Sequence, residues 1–244
     1  MPKLNVLIAG STGYIGVQLI KLLIKHKNIN IKYLCGNSSV GKKISFYDAS
    51  LKSKKLPIIT KYNKKYLSYV DIIFTALPNG EAQLISKDLL KKNTLIDLAA
   101  DFRLKKGSDY LKWYKQKHKA ISNIIKSVYL LPELSNHKLK NYKIISCPGC
   151  YPTSILLPLV PLIQKNIIKT DNIVIDSKSG YSGAGKNLKN NFTHKNLYSS
   201  IHPYGIYKHI HTSEIDQEFS KISKSKIEYT FTPHLIPTFR GMLS

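Results

Sequence analysis

Two of the three cysteines in this 244-residue chain stand in one short run, Cys147-Pro148-Gly149-Cys150. A C-x-x-C spacing is compatible with three chemistries. A structural zinc site needs about four ligands, usually two such pairs or a pair with two histidines. No second pair exists, so no metal is expected. A redox pair is the second option, because C-x-x-C can favour a thiolate. The third is a single nucleophile. Cys150 precedes an apolar run that reads as a helix from about Pro152, and proline is favoured in a first helical turn. A helix N-terminus favours an anion such as a thiolate. On this reading Cys150 attacks, while Cys147 ends the preceding strand and points elsewhere. A thiol nucleophile needs a base. The candidates are His209 and His211 in Tyr207-Lys208-His209-Ile210-His211, with Glu214 beyond. Residues two apart on a helix or strand do not share one environment. At most one of the pair is therefore expected to act as acid and base.

A second chemical feature opens the chain. Gly10, Ser11, Thr12, Gly13, Tyr14, Ile15 and Gly16 form a G-x-x-G-x-x-G loop after the apolar run Leu4–Ala9 and before a helical spacing at Ile15, Leu19, Leu22 and Leu23. Glycines there let the backbone turn and approach a pyrophosphate, which sits on the helix N-terminus. An acid is expected after the second strand when the ligand is NAD. Cys35–Lys43 has none; Ser38, Ser39, Lys42 and Lys43 suit a 2′-phosphate, which points to NADP. Cys35 is expected to pack at the strand end.

The elements needed to hold these groups alternate along the first half. Strands are read at 4–9, 29–34, 71–76, 95–98 and 143–146, with helices at 14–25 and about 80–91. That alternation implies a parallel α/β sheet with right-handed crossovers. The second half reads as an α+β unit. It has a helix over 152–165, strained by Pro158 and Pro161, and a strand over 172–178. A glycine loop follows over 180–185, then a helix over 209–219 and a strand over 226–231. The division predicted is a Rossmann-type NADP-binding domain, 1–148, and a catalytic domain, 149–244.

Bulk properties bound the partners. The 38 Lys and Arg against 14 Asp and Glu give a formal net charge of +24. The lysines are scattered along the chain rather than gathered on one element. This favours codon bias over nucleic-acid binding, although a positive surface would draw in a phosphorylated substrate. Three cysteines make no disulfide framework, which suits a reducing compartment. The longest apolar run, Ile155–Ile163, falls short of the ~18 residues that span a bilayer. The expected location is the cytoplasm, with no membrane partner.

Taken together, GSTGYIG, DLAADFRL, CPGCYPTS, KSGYSGAGK, YGIYKHIHTSEI and FTPHLIPTFRG resemble the N-acetyl-gamma-glutamyl-phosphate reductase family of arginine biosynthesis. That family is related to the aspartate-semialdehyde dehydrogenases. The resemblance runs over essentially the whole chain. It implies NADPH-dependent reduction of an acyl phosphate through a cysteine thioester, with Cys150 as nucleophile and His209 as acid and base. His211 is held in reserve or binds substrate. Arg103 and Arg240 are implied anion contacts, and Ser182 and Gly183 lie in a loop beside the nicotinamide. It also implies a homo-oligomer. The family usually has another residue in place of Cys147, so Cys147 is expected to be dispensable and a Cys147–Cys150 disulfide to inactivate. Ser213 stands where proline is common. Family members continue past Ser244, so the catalytic domain is expected to be C-terminally incomplete, through a fragment, a shortened gene or a decaying one. The alternatives are a reductase of a longer or carrier-linked acyl phosphate, and a non-catalytic dinucleotide- or nucleic-acid-binding protein.

Overall fold

The computed structural model describes residues 2–185 and 199–244. Lys186, which ends the KSGYSGAGK run, and Lys195 lie outside the described residues. The chain divides into two compact units. One comprises Met1–Leu111, Gln116–Leu130 and His137–Cys147; the other comprises Lys112–Lys115, Leu131–Asn136 and Pro148–Ser244.

The first unit contains, in chain order, β1 (Leu4–Ala9), α1 (Tyr14–Leu23), β2 (Ile29–Cys35), β3 (Ile59–Thr60), β4 (Ile72–Thr75) and α2 (Glu81–Lys87). These are followed by β5 (Thr94–Asp97), α3 (Gly107–Tyr114, whose residues from Lys112 on belong to the other unit), α4 (Ile121–Ile124), β6 (Ser127–Tyr129) and β7 (Ile144–Ser146). Among the described residues the seven strands form one sheet in the order β3-β2-β1-β4-β5-β7-β6. Every pairing is parallel. A parallel sheet is covered on both faces, so its central strand must be apolar on both. Val6 and Ile8 of β1 enter one core cluster with Val17, Ile20 and Phe74. Leu7 and Ala9 enter the other with Ile73, Ile85 and Leu95. Each fully buried Leu or Ile contributes about 1.5–3 kcal/mol.

The sequence reading found the long strands and missed β3 and β6, which are two and three residues long and carry no periodicity. Helix α2 stops at Lys87, short of the expected Lys91, because side chains take over its C-terminal polar groups. Asn93 Oδ1 accepts the Leu90 N–H at 2.8 Å. The Lys143 ammonium donates to the carbonyls of Leu90, Lys91 and Asn93.

The second unit contains α5 (Cys150–Gln164), β8 (Ile173–Gly180), β9 (His202–Pro203), α6 (Thr212–Ile222), β10 (Tyr229–Ile236) and β11 (Met242–Leu243). Its sheet runs β11-β8-β10-β9 among the described residues. β8 and β10 are parallel over their full length, and β9 and β11 pair antiparallel at the edges. Residues after Arg240–Gly241 thus re-enter the sheet. Ile175, Ser177 and Ser179 alternate with more exposed residues, as do Phe231, Pro233 and Leu235 on β10.

Two expectations are corrected here. Helix α5 runs unbroken through Pro158 and Pro161. Its buried stripe is Tyr151, Pro152, Ile155, Leu156, Val160 and Ile163, and Pro158 lies on the exposed side. A carbonyl left without a helical donor there can turn to water. Helix α6 begins at Thr212, not His209. Both histidines therefore sit in the turn before it and escape the helical spacing that was expected to separate them.

Candidate active site

The glycine loop follows β1 and opens α1. Gly10 has φ +84°, and a Cβ there would lie 2.1 Å from the Ala76 carbonyl oxygen. A Cβ on Gly16 would lie 2.2 Å from the Gly10 carbonyl oxygen. Backbone therefore packs on backbone, and the loop is held flat under α1. Gly13 is the N-cap in extended conformation, with no side-chain cap and no acid in the first turn. A helix N-terminus without a side-chain cap is a setting that favours an anion. Ser11 is fully buried. Its hydroxyl donates to the Cys35 carbonyl at 3.1 Å, and the Gly10 and Ser11 N–H groups donate to that same oxygen. Ser11 braces the loop from beneath. Thr12 and Tyr14 are half-buried and Ile15 is exposed.

After β2 the chain presents Asn37, Ser38, Lys42 and Lys43 at the surface, with no carboxylate from Cys35 to Lys43. The Lys42 ammonium lies 4.8 Å from the Phe46 ring centroid. Ser39 is buried, and its Oγ has no hydrogen-bond partner. It lies against Gly36, where a Cβ would fall 2.2 Å from that oxygen. Cys35 is buried as expected, and burial pushes its thiol up to about 11.

At the carboxyl ends of β5 and β7 lies a buried polar cluster. Asp97 is fully buried; Oδ1 accepts from Thr75 Oγ1 at 2.7 Å and from the Ala99 N–H at 3.1 Å. Oδ2 has no partner, and burial pushes the carboxyl up to about 6. Arg103 is 8% exposed. Its guanidinium donates to the Cys147 carbonyl at 2.9 Å and the Leu98 carbonyl at 3.2 Å. Arg103 thereby ties together the ends of the two strands. Cys147 is half-buried, and burial, with the nearby Asp97 charge, pushes its thiol up to about 11.

The second unit carries the nucleophile candidate. Cys150 is exposed at the first residue of α5. The Gly149 N–H donates to Glu214 Oε2 at 2.8 Å, and the Glu214 side chain is 0% exposed. Glu214 Oε1 lies 3.8 Å from His211 Nε2. A Cβ on Gly149 would fall 2.4 Å from that same nitrogen. Only glycine lets the imidazole come this close to the residue preceding the thiol. His209 lies one layer behind. Its Nδ1 accepts the His211 backbone N–H at 3.1 Å, so the neutral ring carries its proton on Nε2. It packs against Tyr151, Tyr204 and Phe231, with ring centroids 5.1–5.6 Å apart. Burial lowers its pKa to about 4. The two imidazoles are 4.8 Å apart and both contact Tyr151. They share one environment, contrary to the sequence expectation. Ser213, at the second position of α6, donates its hydroxyl to the Ile210 carbonyl at 2.6 Å.

The glycine loop after β8 forms a short turn, Tyr181–Ala184. The Ser182 N–H donates to the Phe239 carbonyl at 2.8 Å and the Tyr181 N–H to the Thr238 carbonyl, so this loop rests on the segment carrying Arg240. Ser182 is half-buried and Gly183 exposed. Arg240 is exposed, its guanidinium 5.1 Å from the Phe239 ring centroid. Sequence reasoning missed the part played by Gly149 and left Glu214 without a role. The signal available was an acid three residues beyond the second histidine.

Among the described residues, no cluster of three or more His, Cys, Asp or Glu could hold a metal ion. Nor is any described helix long and apolar enough to cross a membrane.

Comparison with known proteins adds the family. Residues 5–142 match the semialdehyde dehydrogenase NAD binding domain, and residues 150–244 match the semialdehyde dehydrogenase dimerisation domain. The N-acetyl-gamma-glutamyl-phosphate reductase of Thermoanaerobacter pseudethanolicus is 43% identical over 97% of this chain and 69% of its own. A probable chloroplastic N-acetyl-gamma-glutamyl-phosphate reductase of Arabidopsis thaliana is 38% identical over 97% of this chain. This chain spans 59% of the length of that plant relative. Aspartate semialdehyde dehydrogenase II of Vibrio cholerae superposes with a TM-score of 0.69 at 17% identity, covering 99% of this chain and 73% of its own. At that identity the likeness speaks to fold alone. On its two domain matches and its identity to the bacterial reductase, the chain belongs to the semialdehyde dehydrogenase family, among the N-acetyl-gamma-glutamyl-phosphate reductases.

Proposed function

We propose that this chain reduces N-acetyl-gamma-glutamyl phosphate to N-acetylglutamate semialdehyde with NADPH, in arginine biosynthesis. The observation that carries the reading is the turn at Cys150: an exposed thiol at a helix N-terminus, with an imidazole pressed on the preceding glycine and a buried carboxylate beneath. The substrate follows from the names of the relatives. NADP is supported by the cradle at Gly10 and Gly16 and by hydroxyls and lysines, without an acid, after β2. The dinucleotide supplies the hydride when bound.

The chain's own residues do the rest. Cys150 gives its proton to His211, and the thiolate attacks the acyl carbon. The carbon–oxygen bond to phosphate breaks, and His211 passes the proton to the departing phosphate. The thioester accepts hydride at its carbonyl carbon. The resulting oxyanion collapses to the aldehyde and returns the thiolate, which takes a proton from water. The α5 N-terminus favours negative charge at sulfur throughout. We assign the acid–base role to His211 rather than His209. Nδ1 of His209 already accepts a backbone N–H, and its Nε2 carries a proton, so the neutral ring has no lone pair to offer. His209 fixes the turn that holds His211. Arg240 remains a candidate for the substrate's anionic groups; Arg103 acts as a brace. The dimerisation-domain match supports a homo-oligomer, and the cytoplasm is the proposed location.

The test is the reverse reaction. N-acetylglutamate semialdehyde, phosphate and NADP are mixed with the chain and NADPH absorbance is followed. Phosphate-dependent NADPH formation is expected, lost in Cys150→Ser and kept in Cys147→Ser. Activity surviving in Cys150→Ser would overturn the mechanism.

A further inference from the structure

The loop Ala76–Gly80, after β4, has no part in the steps above, yet it occupies a telling place. β1 pairs with β2 on one side and β4 on the other. In open parallel sheets, ligands bind beyond the carboxyl ends of the strands where the order reverses in this way. The Ala76 carbonyl oxygen lies 2.1 Å from where a Gly10 Cβ would be, so this loop rests directly on the glycine loop. Pro78 and Asn79 are exposed, while Gly80 is buried at φ +94°.

Asp101 holds the end of the loop. It is 1% exposed. Its Oδ1 accepts from the Gly80 N–H at 2.7 Å, from Gln83 Nε2 at 3.0 Å and from the Tyr110 hydroxyl at 2.8 Å. Its Oδ2 accepts from the Gln83 N–H at 3.2 Å. The arrangement is held further out as well. Gln83 Oε1 accepts the Lys119 N–H at 2.6 Å, and His118 Nε2 lies 2.8 Å from the Asp101 carbonyl oxygen. A neutral Ser or Asn would suffice to start the seven-residue α2. A fully buried carboxylate with donors from four directions is a more rigid device, because a charge left short of any of them is strongly penalised.

We propose that Asp101 is a positioning residue for the dinucleotide. It pins Gly80 so that Leu77, Pro78 and Asn79 stand as a fixed wall beside the Gly10–Gly16 loop. The inference rests on the cofactor reading above.

The experiment titrates NADPH into the 244-residue chain, following nicotinamide fluorescence, for the unsubstituted protein, Asp101→Asn and Tyr110→Phe. Asp101→Asn is expected to weaken NADPH binding about tenfold, the equivalent of one charged hydrogen bond. The KM for NADP in the reverse assay should rise in proportion, while the KM for phosphate and semialdehyde holds. Tyr110→Phe removes one donor and opens no cavity. It should weaken binding about two- to threefold, and it decides the matter if Asp101→Asn does not fold. A lowered melting temperature with unchanged NADPH affinity would make the network merely structural and overturn the inference. No NADPH binding by the unsubstituted chain would overturn the cofactor reading and this inference with it.

Discussion

Helices α1 and α5 begin alike. Each has a glycine N-cap in extended conformation, with φ −70° at Gly13 and −66° at Gly149, no side-chain cap, and no acid in the first turn. A helix N-terminus of this kind favours negative charge; at α5 the Gly149 N–H already holds the Glu214 carboxylate. They differ in where the missing Cβ matters. At α1 the N-cap has room, and the close approaches are backbone on backbone at Gly10 and Gly16. At α5 the N-cap is itself the close approach, and what fills the space is the His211 ring. A site for an anion that arrives from solution has to be cleared of side chains. On the proposed function, a site that makes its anion in place needs a proton acceptor pressed against it.

Substitutions can break that contrast. Gly16→Ala should have the largest effect, since its Cβ meets backbone that cannot step aside. A stability loss of about 3 kcal/mol and loss of NADPH binding are expected. Gly13→Ala, with its nearest atom 3.6 Å away, should be tolerated in both melting and titration. Equal damage from the two would show that the motif acts through flexibility instead. Gly149→Ala comes next. Its Cβ displaces the end of a side chain, so melting and NADPH affinity should change little while turnover falls about 100-fold. A fall in stability matching that of Gly16→Ala would erase the distinction.

The smallest effect concerns pH and again sets the two units against each other. The Asp97 carboxyl is raised to about 6 in the folded chain, against about 3.9 unfolded. Its stabilisation is complete below the unfolded value and is lost as pH rises through the folded one. His209 is lowered to about 4, against about 6.5 unfolded. The folded state resists its protonation, so its contribution is lost as pH falls through the same window. Melting curves between pH 4 and 7 should show Asp97→Asn shifting the slope upward with pH and His209→Gln shifting it downward. Shifts of the same sign would refute one of the two burial arguments.

What could be read from sequence followed from how far apart the interacting residues lie. The glycine loop and its strand and helix are contiguous, so spacing alone revealed them. The parallel sheet was legible through strands apolar on both faces. The two-residue β3 carries no such pattern, and Pro158 and Pro161 counted against a helix that runs through both, with Pro158 exposed and Pro161 half-buried. In the second unit the candidate nucleophile was legible from its turn. Which of His209 and His211 lies against the turn could not be read, because it depends on where α6 begins and on Gly149 meeting a residue 62 positions later. The Glu214–Gly149 bond is legible only in three dimensions.

The uneven setting of the three cysteines has a practical side. Cys35 is buried and Cys147 half-buried, both with thiols pushed up to about 11, whereas Cys150 is exposed. A maleimide or iodoacetamide reagent at neutral pH should therefore mark one position in the unmodified chain. A fluorophore or an electrophilic inhibitor could then be placed at the head of α5, with no cysteine removed beforehand.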